Sequence, residues 1–525
     1  ISTFLSDKSE SKIVFAVDDI TYRFKGGKIG LHSLKFSEES GKLIGIMGAS
    51  GSGKSTLLNI LNGNYTPYSG AVTINGYDIH HEREEANGMI GYISQDDLLI
   101  EELTVYQNLF LNAKLCFDGL SDEEIANRVD ETLKSLGLYE IKDIQVGNPM
   151  NKKISGGQRK RLNCGLELIR EPSVLFVDEP TSGLSSRDSE NIMDLLKELA
   201  LKGKLIFVVI HQPSSEIFKM FDKLLILDTG GYPIYLGNPL DAIVYFKQQV
   251  NAINQNESEC TRCGNVNPEQ IFNIIEAKVV DEYGNLTDKR KTTPKQWNKI
   301  YQTTHNNEVN KEKPELHEVE FKTPNFLNQL RVFVRRDVLA KITNKQYLAI
   351  NMLEAPVLGF ILSYFLRFIL IDESTASNEY IFYSNDNMIV YMFMSVIVAL
   401  FLGLTVSAEE IFKDQKIRKR ESFLNLSNGS YLLSKIGIMF TISAIQMFLF
   451  IIVGNSILGI HGMLWDYWLI LFSTACFANM LGLNISASFN SAVTIYILIP
   501  FLIIPQILFS GVFNSWEILA NKLVL

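Results

Sequence analysis

The 525-residue chain is too long for one ordinary domain, and 58 acidic against 49 basic side chains leave a formal net charge of −9. No basic stripe or clustered basic face stands in its soluble part, which excludes nucleic acid as a partner. The five scattered cysteines exclude a disulfide framework and fit a reducing compartment. The near-zero mean hydropathy averages two unlike parts. Up to about residue 345 the chain mixes charged and apolar residues; after Leu348 it becomes a series of long apolar runs with short polar breaks.

The chain opens at Ile1 rather than Met and carries no signal peptide, so residues upstream are expected and 1–12 read as a remnant. An apolar strand, Leu43 to Met47, runs into Gly48, Ala49, Ser50, Gly51, Ser52, Gly53, Lys54, Ser55 and Thr56. This is G-x-x-x-x-G-K-[ST] in strand–loop–helix context, where backbone N–H groups and a helix N-terminus face phosphate oxygens. Lys54 is expected to reach the β and γ phosphates and the Ser55 hydroxyl to ligate Mg²⁺. A second buried strand, Val174 to Val177, ends at Asp178, a Mg²⁺-coordinating position, and Glu179. Glu179 is placed to orient and deprotonate an attacking water.

Between these motifs stands "ISGGQRKRL", with Ser155, Gly156, Gly157 and Gln158 ahead of a basic run whose Lys160 reads as a solvated helix face. Ser-Gly-Gly-Gln between a phosphate loop and an Asp-Glu strand resembles the signature of ATP-binding cassette (ABC) proteins. The resemblance implies that this signature binds the γ-phosphate held by a second subunit's loop. It also implies that Gln95 in "GYISQDD" is the glutamine that touches Mg²⁺ or water, and that His211 in "VVIHQPSS" contacts the γ-phosphate. In "ITYRF" the spacing favours Phe24 as the aromatic stacked on adenine, with Tyr22 second. Where the family usually has an aspartate at the dimer-crossing loop, this chain has Ser185. Ser185 suits a helix cap, with Asp188 three residues on completing a capping box.

"SGGQRKR", "IHQPSSEIFKMFDKLLIL", "NPEQIFNIIE" and "IPQILFSGVF" resemble the G subfamily, whose half-transporters place the nucleotide domain before the membrane domain. The expected class is an α/β P-loop nucleotide-binding domain (13–250) followed by an all-α polytopic membrane domain (347–525). Residues 251–324 read as a linker holding a charged stretch and Cys260-x-x-Cys263. Two cysteines supply half of the four ligands zinc prefers. They read as two reduced thiols or, more sharply, as half of a Cys₄ Zn²⁺ site shared by two copies.

Residues 325–346 space Phe326, Leu330, Phe333, Val334 and Val338 helically opposite Arg331, Arg335 and Arg336, as an amphipathic connecting helix does. Spans are expected near 348–370, 388–407, 436–460, 465–487 and 492–511. The Lys/Arg-rich 408–435 loop is cytoplasmic by the positive-inside rule, and "EEIFKDQKIRKRESF" is its candidate coupling helix. The family's sixth span is expected to be missing from the chain. Glu354, Asn351, Gln446, Asn455, Asn479 and Asn484 are polar positions inside spans, each either a cargo contact or an interhelical bond.

The combined expectation is an ATP-hydrolysing, Mg²⁺-dependent exporter of a lipid-like or amphipathic cargo, working as a homodimer or with a related half-transporter. It would sit in a bacterial inner membrane or a plasma membrane with its nucleotide domain cytoplasmic. The alternatives are a mechanotransmission ATPase acting on partner proteins and a catalytically silent regulator.

Overall fold

The computed structural model describes residues 13–82, 88–148, 151–304 and 323–510, except 253, 260–263, 284, 368–369, 372–377, 380–384, 386 and 425. The chain divides into two compact units, the first running to Thr323 and including Phe423–Asn425, the second comprising Pro324–Ser422 and the residues from Leu426 on.

In the first unit, in chain order, stand β1 (Val14–Arg23), β2 (Ile29–Glu39), β3 (Leu43–Gly48), α1 (Lys54–Leu61), β4 (Ser69–Ile74), β5 (Tyr77–Asp78) and β6 (Ile90–Ile93). Then come α2 (Val105–Cys116), α3 (Asp122–Ser135), α4 (Gly156–Leu168), β7 (Val174–Asp178), α5 (Ser186–Leu201), β8 (Leu205–Val209) and α6 (Ser215–Met220). The unit continues through β9 (Lys223–Asp228), β10 (Tyr232–Gly237), α7 (Pro239–Gln249), α8 (Glu269–Ile275), β11 (Lys278–Val280), β12 (Leu286–Arg290) and α9 (Pro294–Thr304).

Strands β3, β7 and β8 are apolar and buried along nearly their whole length, as a sheet covered on both faces requires. They lie in a six-stranded sheet of order β10-β9-β3-β8-β7-β6, parallel except at β9/β10. An antiparallel sheet of order β2-β1-β4-β5 forms a second layer. Phe15, Phe36, Phe176 and Phe207 pack in one core, and the α5–α7 side chains Ile192, Leu196, Phe218 and Phe246 pack in another.

Part of the 251–324 stretch, which reads as a linker, is folded. Trp297 on α9 is buried in the second core, edge-on to Phe246 at 5.4 Å. Asn298 Nδ2 donates to Pro233 O at 2.7 Å, and Arg290 Nη1 meets the buried Asp228 at 2.7 Å. Residues 266–304 are therefore a folded extension of the nucleotide unit. Its few apolar side chains are spread over short elements, too short for a period to emerge. Residues 305–322 and Cys260 and Cys263 lie outside the described residues.

The second unit is helical: α10 (Phe326–Thr343), α11 (Lys345–Leu366), α12 (Met388–Ser407), α13 (Glu410–Glu421), α14 (Asn428–Leu458), α15 (Leu464–Ser488) and α16 (Ala492–Phe509). Five of these are long and apolar enough to cross a membrane. Four of the five follow the expected spans closely. By contrast, α14 begins eight residues before the expected 436, because its early charge is neutralised internally. Lys435 is buried, with Asp337 of α10 at 3.0 Å and Glu410 and Asp414 of α13 at 3.0 and 2.9 Å. Lys341 meets Glu410 at 2.7 Å and Arg336 meets Glu421 at 2.5 Å. These pairs fasten α10, α13 and α14 together. The N–H groups of Ile411 and Phe412 find the Ser486 hydroxyl at 3.1 and 3.0 Å.

Glycine sets the closest helix approaches. A Cβ on Gly359 of α11 would stand 2.9 Å from Phe450 O of α14, and one on Gly403 of α12 would stand 2.6 Å from Ala475 O of α15. Several span amides serve packing: Gln446 Nε2 donates to Asn351 O at 3.0 Å, Asn479 Nδ2 to Ser443 Oγ at 2.8 Å, and Asn484 to its own helix. The buried Asn455 amide has no protein partner among the described residues. The expected hairpin at Asn514–Leu525 lies outside the described residues.

Replacing Trp297 with Ala empties a core position and is expected to cost about 3–5 kcal/mol. The check is a fall in the melting temperature of the nucleotide unit within the detergent-solubilised chain, with Trp297→Phe much closer to the parent.

Candidate functional site

The site lies where open parallel sheets bind ligands, outside the carboxyl ends of the strands. Strand β3 delivers the phosphate loop, β7 delivers Asp178 and Glu179, and β8 leads to His211. The register aligns Asp178 with Val209 and Ile46 with Val209, so the three arrive at one level. Gly53 takes the left-handed region (φ 90°) as it starts α1, and a Cβ there would press on Gly30 O at 3.1 Å. That crowding explains why glycine is needed at the turn.

Lys54 is buried and donates to Gly48 O at 2.8 Å and Ala49 O at 3.0 Å, so the loop's own carbonyls aim its ammonium group. Gln95 Nε2 donates to Glu179 Oε2 at 2.9 Å, and His211 Nε2 lies 3.5 Å from Glu179 Oε1. One carboxylate thus joins three expected positions. Glu179 sits at φ 45° and Gln212 at φ 43°. These left-handed positions cost about 1–3 kcal/mol each, and the Glu179 N–H donated to Val209 O at 3.0 Å helps hold the first.

Burial pushes the Asp178 carboxyl up to about 6, with Glu179 adding to the rise and Lys160 and Lys54 opposing it. The Tyr92 hydroxyl donates to the same carboxylate. Burial, then Lys54, holds the His211 imidazole below its usual value, which favours the neutral ring. Burial likewise lowers Lys54, against Glu179 and Asp178.

Phe24 is 42 % exposed and edge-on to Tyr22 at 5.3 Å, whereas Tyr22 stacks on Tyr65 at 5.6 Å. Phe24 therefore keeps the free aromatic face. Ser155 caps α4 in a full capping box, with Gln158 Oε1 accepting from Ser155 N at 2.8 Å. Among the described residues, no hydrogen bond or ion pair joins Ser155, Gly156, Gly157 or Gln158 to the phosphate loop of the same chain.

Ser185 caps α5 as expected, accepting from Asp188 N at 3.2 Å, and its Oγ donates to Asp188 Oδ2 at 2.8 Å. The second arm differs from a capping box, because the carboxylate takes the Ser185 hydroxyl. A Cβ on Gly157 would collide with Asp188 Oδ1.

The basic run departs from expectation. Lys160 is not solvated but 3 % exposed, donating to Gln95 O at 2.7 Å and Ser94 O at 3.2 Å. Sequence reasoning misplaced Lys160 and missed Tyr92. The available signal was that Lys160, Asn163 and Glu167 recur at helical spacing on one side of α4.

Against known families, residues 31–182 match the ABC transporter model and residues 328–522 the ABC-2 type transporter model. The chain thus carries an ABC transporter domain followed by an ABC-2 type transporter domain, the half-transporter layout. Its nucleotide domain comes first, as in the G subfamily. It is 40 % identical over 212 residues to ABC transporter G family member 14 of Arabidopsis thaliana, covering 39 % of this chain and 32 % of the relative. It is 37 % identical over 274 residues to ABC transporter G family member 24 of Dictyostelium discoideum, covering 50 % and 23 %. It is also 38 % identical over 200 residues to ABC-type transporter claG of Penicillium crustosum, covering 38 % and 26 %. The chain thus spans about a third or less of these relatives' length. They come from a plant, an amoeba and a fungus, and give the expected bacterial membrane no support.

The ABC domain implies ATP and Mg²⁺. Ser55, Gln95 and Asp178 form the all-oxygen set that a hard cation prefers, and Tyr92 already orients the carboxylate among them. Among the described residues, no group of three or more His, Cys, Asp or Glu forms a further metal cluster.

The Asp178 carboxyl ionises near pH 6 in the folded chain against 3.8 ordinarily. Its protonation therefore stabilises the fold; that contribution is fully present below the ordinary value and lost as pH rises through about 6. Mg²⁺ needs the ionised form. The Mg²⁺ concentration for half-maximal ATP hydrolysis is expected to rise about tenfold from pH 7 to pH 5, as measured in Mg²⁺ titrations across that range.

Proposed function

We propose that the chain is one half of an ATP-driven membrane transporter that works as a dimer. The carrying observation is the split of the machinery. Phosphate loop, Gln95, Asp178, Glu179 and His211 converge, while among the described residues the signature at Ser155–Gln158 makes no hydrogen bond or ion pair to them within the chain. A second copy supplying its signature completes the site.

In this reading Lys54 and the loop N–H groups bind the β and γ phosphates, Phe24 stacks on adenine, and Ser55, Gln95 and Asp178 would hold Mg²⁺, which supplies charge neutralisation when bound. Glu179 takes a proton from the attacking water as its oxygen bonds to the γ-phosphorus and the bond to ADP breaks, giving ADP and phosphate. His211, kept neutral, donates toward the phosphoryl oxygens. The five apolar spans carry few charges, which fits export of an amphipathic or lipid-like cargo across a plasma membrane, with α13 as the coupling helix.

Glu179→Gln is expected to bind ATP normally and lose at least about 10²-fold in turnover, measured as phosphate release in lipid nanodiscs. Undiminished release would overturn the assignment. With a serine at 185 the two sites are expected to communicate weakly. Ser185→Asp should then raise the cooperativity of hydrolysis in ATP; an unchanged rate and Hill coefficient would count against that idea.

A further inference from the structure

Helix α4 borders the sheet along β6, an edge strand whose outward backbone groups need partners. Side chains of α4 and the turn after it supply them in sequence. Arg170 Nη2 donates to Ile90 O at 2.8 Å, Glu167 Oε2 accepts from Tyr92 N at 3.4 Å, and Asn163 Oδ1 accepts from Leu98 N at 3.3 Å. Between them Lys160 reaches Gln95 O and Ser94 O, the backbone from which the Gln95 side chain extends to Glu179. Its ammonium group lies 4.0 Å from Asp97, which also accepts from Arg159 Nε at 3.4 Å. A buried lysine whose ammonium group donates to two carbonyls and lies near one carboxylate is a fixed strut, not a surface charge.

The helix that carries Lys160 also begins at Ser155. One and a half turns therefore separate the residues offered to a second subunit's nucleotide from the lysine that holds Gln95 in the chain's own site.

We propose that Lys160 is the positioning residue for Gln95, fixing that side chain against Glu179 and carrying displacement of the signature helix into the site of the same chain. This rests on the proposed dimeric ATPase. In assays well above pH 6, where Asp178 is ionised with or without the charge of Lys160, Lys160 acts on turnover through Gln95. Methionine at 160 keeps the bulk of the stem and removes the donors, freeing the backbone at 94–95. Arginine keeps charge and donors.

The test uses the full chain in lipid nanodiscs, comparing Lys160→Met, Lys160→Arg, Gln95→Ala and the Lys160→Met/Gln95→Ala double variant. Lys160→Met is expected to lower kcat about tenfold, as small misplacements of catalytic groups do, with the KM for MgATP changed less than about twofold. Lys160→Arg should recover most of kcat, and the double variant should be no slower than Gln95→Ala. Wild-type kcat in Lys160→Met, or a double variant whose loss is the product of the two single losses, overturns the proposal. Binding of a fluorescent ATP analogue at parental affinity verifies the fold; if Lys160→Met fails it, Lys160→Gln is held to the same outcomes. Glu179→Gln, run in parallel, separates the readings: its inactivity beside a fully active Lys160→Met refutes the strut and leaves the ATPase standing.

Discussion

The parallel pairing of β3, β7 and β8 is the constraint on which the site depends. Because Ile46 and Asp178 both align with Val209, the chain leaves three neighbouring strands at one level. The phosphate loop, the acidic pair and the histidine then emerge side by side. A slip of one residue in any strand would swap the side chains between the two covered faces and carry its terminal side chain away from the other two. The all-apolar composition of these strands makes such a slip costly, so the core that stabilises the sheet also sets the geometry of the chemistry.

Around that level the charges are arranged by burial more than by number. Glu179 is shared between an amide and an imidazole that is kept neutral, and Asp178 is raised by its own burial while a tyrosine hydroxyl points at it. The left-handed backbone at Glu179 and Gln212 shows that the chain accepts local strain to present these side chains. Such strain persists only where the surrounding sheet over-determines it.

Much of this was legible in the sequence, for identifiable reasons. The phosphate loop is contiguous, and its glycines, lysine and serine are all required by one local geometry. The spans announce themselves by length and hydropathy, and Ser185 announces its cap. What stayed hidden depended on distant partners. Lys160 looks solvated until β6 is laid beside α4, and Lys435 looks like loop until three carboxylates from two other helices surround it. Residues 266–304 look like a linker because Trp297 and Tyr301 are isolated in a polar stretch; only the core they fill explains them. Cys260 and Cys263 drew attention by spacing alone, and spacing of two ligands specifies no site.

The glycines between membrane helices have a mechanical consequence. At Gly359 the backbone of α11 lies against Phe450 O, and at Gly403 the backbone of α12 lies against Ala475 O, where only a hydrogen atom fits. One turn to either side the residues are small as well, Ala355 and Ser363 on α11 and Ala399 and Ser407 on α12. Each pair therefore meets along a stripe of small residues that lets the two backbones lie close together. To admit even a methyl group at Gly359 or Gly403, either helix would have to move away from its partner, as a lid lifts from a flush seat.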